Sequence, residues 1–161
     1  MGQQSFLPEI DRKRTQAAVE AALEKYRIYK YLYIIEERES STTAAYSDMP
    51  RSSPTNVTSD QTANIAIHNV DSQAYREEYC KRVERAVKRM PRMESFLIES
   101  RYMTKEHDYI TDYYVYNFAF QPPMSGGKYA TIRWKAFYKF ASIMNLLVEK
   151  EQRKGGDNER N

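Results

Sequence analysis

Between Ser125 and Phe140 the charged residues are Lys128, Arg133, Lys135 and Lys139, with no acid among them. On a helix, Lys128, Thr131, Lys135 and Lys139 share one side, three or four residues apart. Ammonium groups aligned this way do electrostatic rather than covalent chemistry, because they neutralise phosphates. The first turns of a recognition helix face base edges in a major groove, and later basic residues meet the backbone. Lys128, Ala130, Thr131 and Lys135 are therefore the candidate base-facing residues. Arg133 and Trp134 serve either a core boundary or the DNA backbone, and Lys139 the backbone. Ser125 stands where a side-chain cap belongs and completes the DNA-binding set. Gly126 and Gly127 follow it, where the missing side chains let a backbone come close to a phosphate.

Covalent or metal-dependent chemistry finds little to work with. The chain has two histidines, His68 and His107, and one cysteine, Cys80. His107 stands beside Asp108 in a polar turn and reads as a solvated loop residue. His68 has no partner at helical spacing, and Cys80 reads as a small packing residue. No Gly-rich phosphate loop, cysteine pair or His-Glu metal spacing occurs. No catalytic residue, metal or cofactor is expected, and the chain is not read as an enzyme.

The elements that must position the basic helix are read from periodicity. Asp11 caps a helix running to about Arg38, with Thr15, Val19, Ala22, Tyr26, Tyr29 and Tyr33 on one stripe. That stripe docks on the rest of the chain or pairs with a second copy. Glu39 to Thr58 is poor in large apolar groups and reads as a loop or linker. Thr58 and Gln61 fit a capping box, and a helix with Ile65, Ala66 and Val70 on one face follows. Asp71 or Ser72 then restarts a helix to about Arg89, with Tyr75, Tyr79, Val83, Ala86 and Met90 inward. Pro91 opens the next helix, with Phe96, Leu97 and Met103 inward. Thr104 to Asp108 forms a polar turn. Tyr109 to Phe120, with three β-branched residues (Ile110, Thr111, Val115), leaves a strand open but is read as a helix, because Ile110, Tyr113, Tyr114 and Asn117 follow helical spacing better than alternation. Pro122-Pro123 ends it. The last helix runs from Lys128 to about Lys150, with Tyr129, Ile132, Ala136, Phe140, Ile143 and Leu147 inward.

The expected fold class is all-α, a helical N-terminal region followed by a helix-turn-helix. The expected organisation is a long helix and flexible linker over 1–58, central helices over 59–90, a DNA-binding helix-turn-helix over 91–150 and a disordered tail over 151–161. Net charge is +3, too small to demand a polyanion by itself. Its distribution is more informative. From Glu106 to Met124 the charged residues are Glu106, Asp108 and Asp112, with no Lys or Arg. An acidic element beside a basic one lets a single face meet phosphate; the alternative is two ordinary solvated helices. One cysteine excludes an internal disulfide and fits a reducing cytosol. No secretory signal pattern opens the chain and no apolar run is long enough for a bilayer. A cytoplasmic location in a bacterial host cell, with no membrane partner, is the expectation.

Several stretches together resemble the ArpU-type phage transcriptional regulators. They are FLPEIDRKRTQAAVEAALEKYRIYK from Phe6, PTNVTSDQTANIAIHNVD from Pro54, YREEYCKRVERAV from Tyr75 and IRWKAFYKFA from Ile132. The resemblance spans about Phe6 to Val148. It implies a regulator of late, lytic genes from a phage or prophage of Gram-positive bacteria. The C-terminal part is similar to the promoter-reading fourth region of bacterial sigma factors. Phe96 to Tyr102 matches its first helix. Met124-Ser125 stands where the recognition helix begins, and Tyr129, Ala136 and Phe140 occupy its buried positions. The tyrosine-rich second helix and Gly126-Gly127 depart from that pattern.

Three readings compete. The first is a sequence-specific regulator binding double-stranded DNA, an activator working with host RNA polymerase, with the N-terminal helices as homodimer interface or polymerase contact. The second is a protein that binds RNA polymerase or a sigma factor without its own DNA readout, with tyrosines as interface anchors. The third is a phage DNA-packaging subunit.

Overall fold

The computed structural model describes residues 9–43 and 60–151, with side chains over 9–38 and 70–151. Helices follow in the order α1 (Arg12–Thr43), α2 (Asp60–Lys88), α3 (Arg92–Arg101), α4 (Asp112–Tyr114, continuing as a π-helical turn over Val115–Ala119) and α5 (Gly126–Met144). The described residues are mostly helical and form no named strand, which is consistent with the expected all-α class.

Asp11 starts α1 by accepting the Arg14 N–H on Oδ1 at 3.0 Å, which satisfies a donor the helix leaves free. The expected stripe is buried at Thr15, Val19, Ala22 and Tyr26, and partly buried at Tyr29. Leu23 is fully buried as well. It lies off the four-and-three rhythm. α1 packs against both α2 and α5, and two neighbours cover a wider arc than one stripe. The stripe therefore docks within the chain. α1 also runs on to Thr43, past the expected stop at Arg38. Glu39 to Thr43 contains no Gly or Pro, and each weak helix former there costs under about 0.7 kcal/mol.

α2 is one helix, where a break was expected at Asp71-Ser72. Asp and Ser favour caps, but their penalty inside a helix is only about 0.5 kcal/mol. The expected linker over residues 44–58, with Thr58 of the capping box, lies outside the described residues. So do the side chains of Ile65, Ala66 and His68. The buried side of α2 consists of Cys80, Val83, Ala86 and Val87, with Met90 just beyond its end. Tyr75 is exposed rather than inward.

Tyrosines instead line the rim of the α1–α2 seam. Lys25 Nζ lies 4.5 Å from the Tyr79 ring centroid and 5.3 Å from those of Tyr29 and Tyr75. It also donates to the Tyr75 hydroxyl at 3.1 Å. Tyr79 donates to the Ala22 carbonyl at 2.9 Å. Glu84 Oε1 accepts from Tyr26 at 2.9 Å and from Lys30 at 2.8 Å. Farther along the seam Arg76 pairs with Glu36.

Pro91 is the N-cap of α3, as expected. Glu94, Leu97 and Ile98 are its buried residues and Tyr102 is buried just beyond its end, while Phe96 sits at the rim, edge-on to Phe120 at 4.9 Å. α5 ends at Met144 rather than near Lys150. Asn145 takes a left-handed conformation (φ 59°, ψ 48°), and the Leu146 N–H returns to the Ala141 carbonyl. Asn tolerates that region better than most residues. Ile143, still within α5, is exposed, and Leu147 packs from an extended segment. That segment is tied to the start of α1. Asp11 N–H donates to Val148 O and Lys150 N–H to Glu9 O, each at 2.8 Å. Val148 N–H donates to Thr15 Oγ1 at 3.0 Å, which explains a fully buried threonine. Buried side chains from α1, α2, α3 and α5 form one continuous core, joined by Val115.

Candidate nucleic-acid interface

Two side-chain caps start the helices that bear on the basic face. Thr111 Oγ1 accepts the Tyr114 N–H at 3.2 Å. Ser125 Oγ accepts the Lys128 N–H at 3.3 Å, as its position led us to expect. Between them the Met124 N–H reaches the Tyr116 carbonyl at 3.0 Å. The segment linking α4 to α5 is thereby held against the π-helical turn. Val115 is the buried residue of α4, and Tyr113, Tyr114 and Phe118 are exposed.

Asp112 fixes α5 in place. Its Oδ1 accepts from Arg101 Nε at 2.9 Å and from the Tyr129 hydroxyl at 3.0 Å. Its Oδ2 accepts from Arg133 Nη1 at 2.7 Å. One carboxylate thus ties the end of α3 and the start of α4 to two successive turns of α5. Burial, then the Asp112 charge, pushes the Tyr129 hydroxyl well above its ordinary range. The same causes push Tyr102 up to about 12. His107 Nδ1 lies 2.9 Å from the Arg101 carbonyl and 3.0 Å from Arg101 Nη1. It is therefore a partner of the arginine rather than a solvated loop residue.

The side chains of α5 divide into engaged and free groups. Arg133 belongs to Asp112. Lys139 Nζ donates to Glu94 Oε1 at 2.7 Å, and Glu94 is buried with its other oxygen unpartnered. Trp134 is partly buried under the Arg12 guanidinium, whose carbon lies 4.3 Å from the ring centroid. Lys128, Thr131 and Lys135 are exposed, and neither lysine forms an ion pair among the described residues. The Thr131 hydroxyl donates back to the Gly127 carbonyl at 3.1 Å. Ser125 and Ala130 are exposed, Ala130 on the wall of a groove between α1 and α5. A Cβ on Gly126 would make ordinary contact with Tyr116 at 3.5 Å, and one on Gly127 would meet nothing within 4 Å. Neither glycine has a positive φ, so no contact among the described residues demands either of them.

Sequence reasoning missed Arg12 and Lys13, which line that groove beside Ala130, Arg133 and Trp134. Their only sequence signal was a basic cluster at the cap of α1, and nothing local linked it to α5. Of the other residues considered for chemistry, His107 is engaged with Arg101 and Cys80 is packed. Cys80 is buried, and burial pushes its thiol up. Among the described residues no three His, Cys, Asp or Glu side chains are grouped to hold a metal ion. No described helix is long and apolar enough to cross a membrane.

No known family model matches the chain, and no solved structure does. An uncharacterized phage-related protein of Listeria innocua serovar 6a is 27% identical to it over 144 residues. The alignment covers 89% of this chain and 96% of that protein. The similarity is spread over nearly the whole of both chains and supports a phage origin.

Proposed function

We propose that the chain is a phage-encoded transcription regulator that reads a duplex DNA site through the exposed face of α5. The observation that carries this reading is the sorting of α5's cations. Arg133 and Lys139 are neutralised by carboxylates of the same chain, while Lys128 and Lys135 face solvent unpaired on one side. A helix whose free charges lie on one face, with a short hydroxyl residue between them, suits a major groove and its flanking phosphates. α4, the 120–125 turn and α5 then act as a helix-turn-helix. Gly127 leaves open space at the start of α5, where a sugar-phosphate backbone can approach closely. The resemblance to the ArpU-type regulators adds the expected setting, activation of late lytic genes with host RNA polymerase. In this reading the chain performs no catalysis.

The test is selection of bound fragments from a fragmented phage-plus-host genome by the purified protein, repeated at two salt concentrations. Recovery of one short site upstream of the lytic operon, surviving moderate salt, is the expected result. Uniform recovery or none would overturn it.

One observation favours a second reading. Tyr113, Tyr114 and Phe118 are exposed together, with ring centroids 5.5 Å apart for Tyr114 and Phe118 and 6.5 Å for Tyr113 and Phe118. Exposed clustered aromatics suit a protein interface, as a polymerase- or sigma-binding protein without DNA readout would need. Polymerase retention by the immobilised protein, with no duplex bound, would support it.

A further inference from the structure

We infer that the start of α1 forms a second phosphate clamp, so that the DNA-binding surface is built from both ends of the chain. This rests on the DNA-binding reading of α5 and adds two residues, Arg12 and Lys13, that lie outside the C-terminal unit. Both are exposed and neither has an acidic partner among the described residues.

Their placement beside α5 is fixed in two ways. The backbone bonds from Asp11 to Val148 and from Lys150 to Glu9, with Thr15 bonded to Val148, lock the first turn of α1 to the segment after α5. The Arg12 guanidinium then lies over the Trp134 ring, 4.3 Å from its centroid. Trp134 precedes Lys135 and lies one turn beyond Thr131, so Arg12 borders the free face of α5. A guanidinium held over an indole ring still has N–H groups to offer, and such a fork can grip a phosphate bidentately. Trp134 on this account supports Arg12 and touches no base.

The groove between the two helices has a volume of about 560 Å³ and is lined by three cations, Arg12, Lys13 and Arg133. Its single carboxylate, Glu20, accepts from Gln16 Nε2 at 3.1 Å. Arg133 is already neutralised by Asp112. Beside this groove the exposed cations of α1's first turn, Arg12 with Lys13, and of α5, Lys128 with Lys135, make two pairs on separate elements without ion-pair partners among the described residues. A lone anion engages one pair. A strand of phosphodiesters running past α5 engages both, which makes the sugar-phosphate backbone of a duplex the ligand.

The test compares the full chain with Arg12→Ala/Lys13→Ala and with Lys128→Ala/Lys135→Ala. The probes are a duplex recovered from the genomic selection and a random-sequence duplex several helical turns long, titrated over a range of salt. Each lost phosphate contact lowers the slope of log affinity against log salt by about 0.9. The α1 variant is expected to lose up to about 1.8 of slope and to weaken on both probes by a similar factor. Its preference for the selected site stays intact, because backbone contacts carry no sequence information. Arg12→Lys, which keeps the charge, recovers part of the affinity. A merely structural role would lower the melting temperature without moving the salt slope, and that outcome overturns the clamp. Parent-like affinity and slope for the α1 variant, with binding lost in the α5 variant, overturns the clamp and leaves the α5 reading standing. Absence of duplex binding by the parent overturns both.

Discussion

Asp112 and Arg133 form an ion pair of 2.7 Å, which ties the start of α4 to α5 and leaves that arginine neutralised within the chain. The same carboxylate holds Tyr129 one turn earlier and Arg101 at the end of α3. Hydrogen bonds to charged groups contribute about 1.5–3 kcal/mol each when buried. Asp112 is 35% exposed, so solvent screening reduces the total well below their sum. Asp112→Ala is expected to cost about 2 kcal/mol, read as a lower urea midpoint. An unchanged midpoint would mean that the three bonds do not organise α5.

Lys139 was read from the sequence as a phosphate contact, yet its ammonium is spent on Glu94. Removing it leaves a carboxylate buried with neither oxygen partnered. Breaking a buried pair costs about 3–5 kcal/mol, and Lys139 is partly exposed, which places Lys139→Ala near 2–3 kcal/mol. Its duplex affinity and salt slope should match the parent at temperatures where both are folded. Glu94→Leu/Lys139→Met should regain much of the lost stability, because apolar replacement of a buried pair is often neutral. A fall of about 0.9 in salt slope for Lys139→Ala would instead return Lys139 to the DNA contacts.

The free lysines give the converse prediction. Lys128→Ala and Lys135→Ala leave no buried partner behind, so each should move stability by less than about 0.5 kcal/mol. Each should lower the duplex salt slope by about 0.9. Equal slopes for parent and variants would show that α5 is not the reading helix.

The helices and their caps were legible because they follow from local rules. Asp11, Pro91 and Ser125 each start a helix as expected, since capping depends on the residue and its next few neighbours. What periodicity could not supply was the number of neighbours a helix faces. Leu23, Ile98 and Phe137 were missed because α1, α3 and α5 each bury more than one stripe. The end of α5 was missed because Asn145 stops it by a left-handed turn that the sequence does not announce. At the candidate site the basic residues were visible, but their sorting was not. Asp112 is far from Arg133 in sequence, as is Glu94 from Lys139. Only the folded chain shows which cations are already neutralised and that Arg12 stands beside Trp134.

Three buried tyrosines should make the fold sensitive to alkali. Burial is the leading cause of the upward shift at Tyr26, Tyr102 and Tyr129, with a nearby carboxylate second. A tyrosine in the unfolded chain titrates near 10, whereas Tyr102 is pushed up to about 12. A raised folded pKa means that the unfolded chain releases its proton first. The stabilising contribution is therefore complete below about pH 10 and is lost as pH rises towards about 12. Tyr102→Phe should show a shallower fall in melting temperature over that window than the parent. Parallel falls would exclude Tyr102 as a contributor.

The exposed aromatics of α4 and the lysines of α5 should separate two binding activities. Tyr114 and Phe118 are exposed and make no part of the core, so Tyr114→Ser/Phe118→Ser should fold like the parent. If this cluster is where host RNA polymerase docks, the variant should lose at least tenfold in polymerase affinity, about 1.4 kcal/mol. Aromatic anchors commonly cost that much or more when truncated. Its duplex affinity and salt slope should stay at the parent's values, because no charge has changed. Lys128→Ala/Lys135→Ala should show the opposite pattern, with polymerase retained and duplex lost. An activator that recruits polymerase to a site needs both surfaces at once, and promoter activity in a reconstituted transcription reaction should fail in either variant. Loss of duplex binding in the aromatic variant would place Tyr114 and Phe118 against the DNA itself, and the recruitment surface would have to be sought elsewhere.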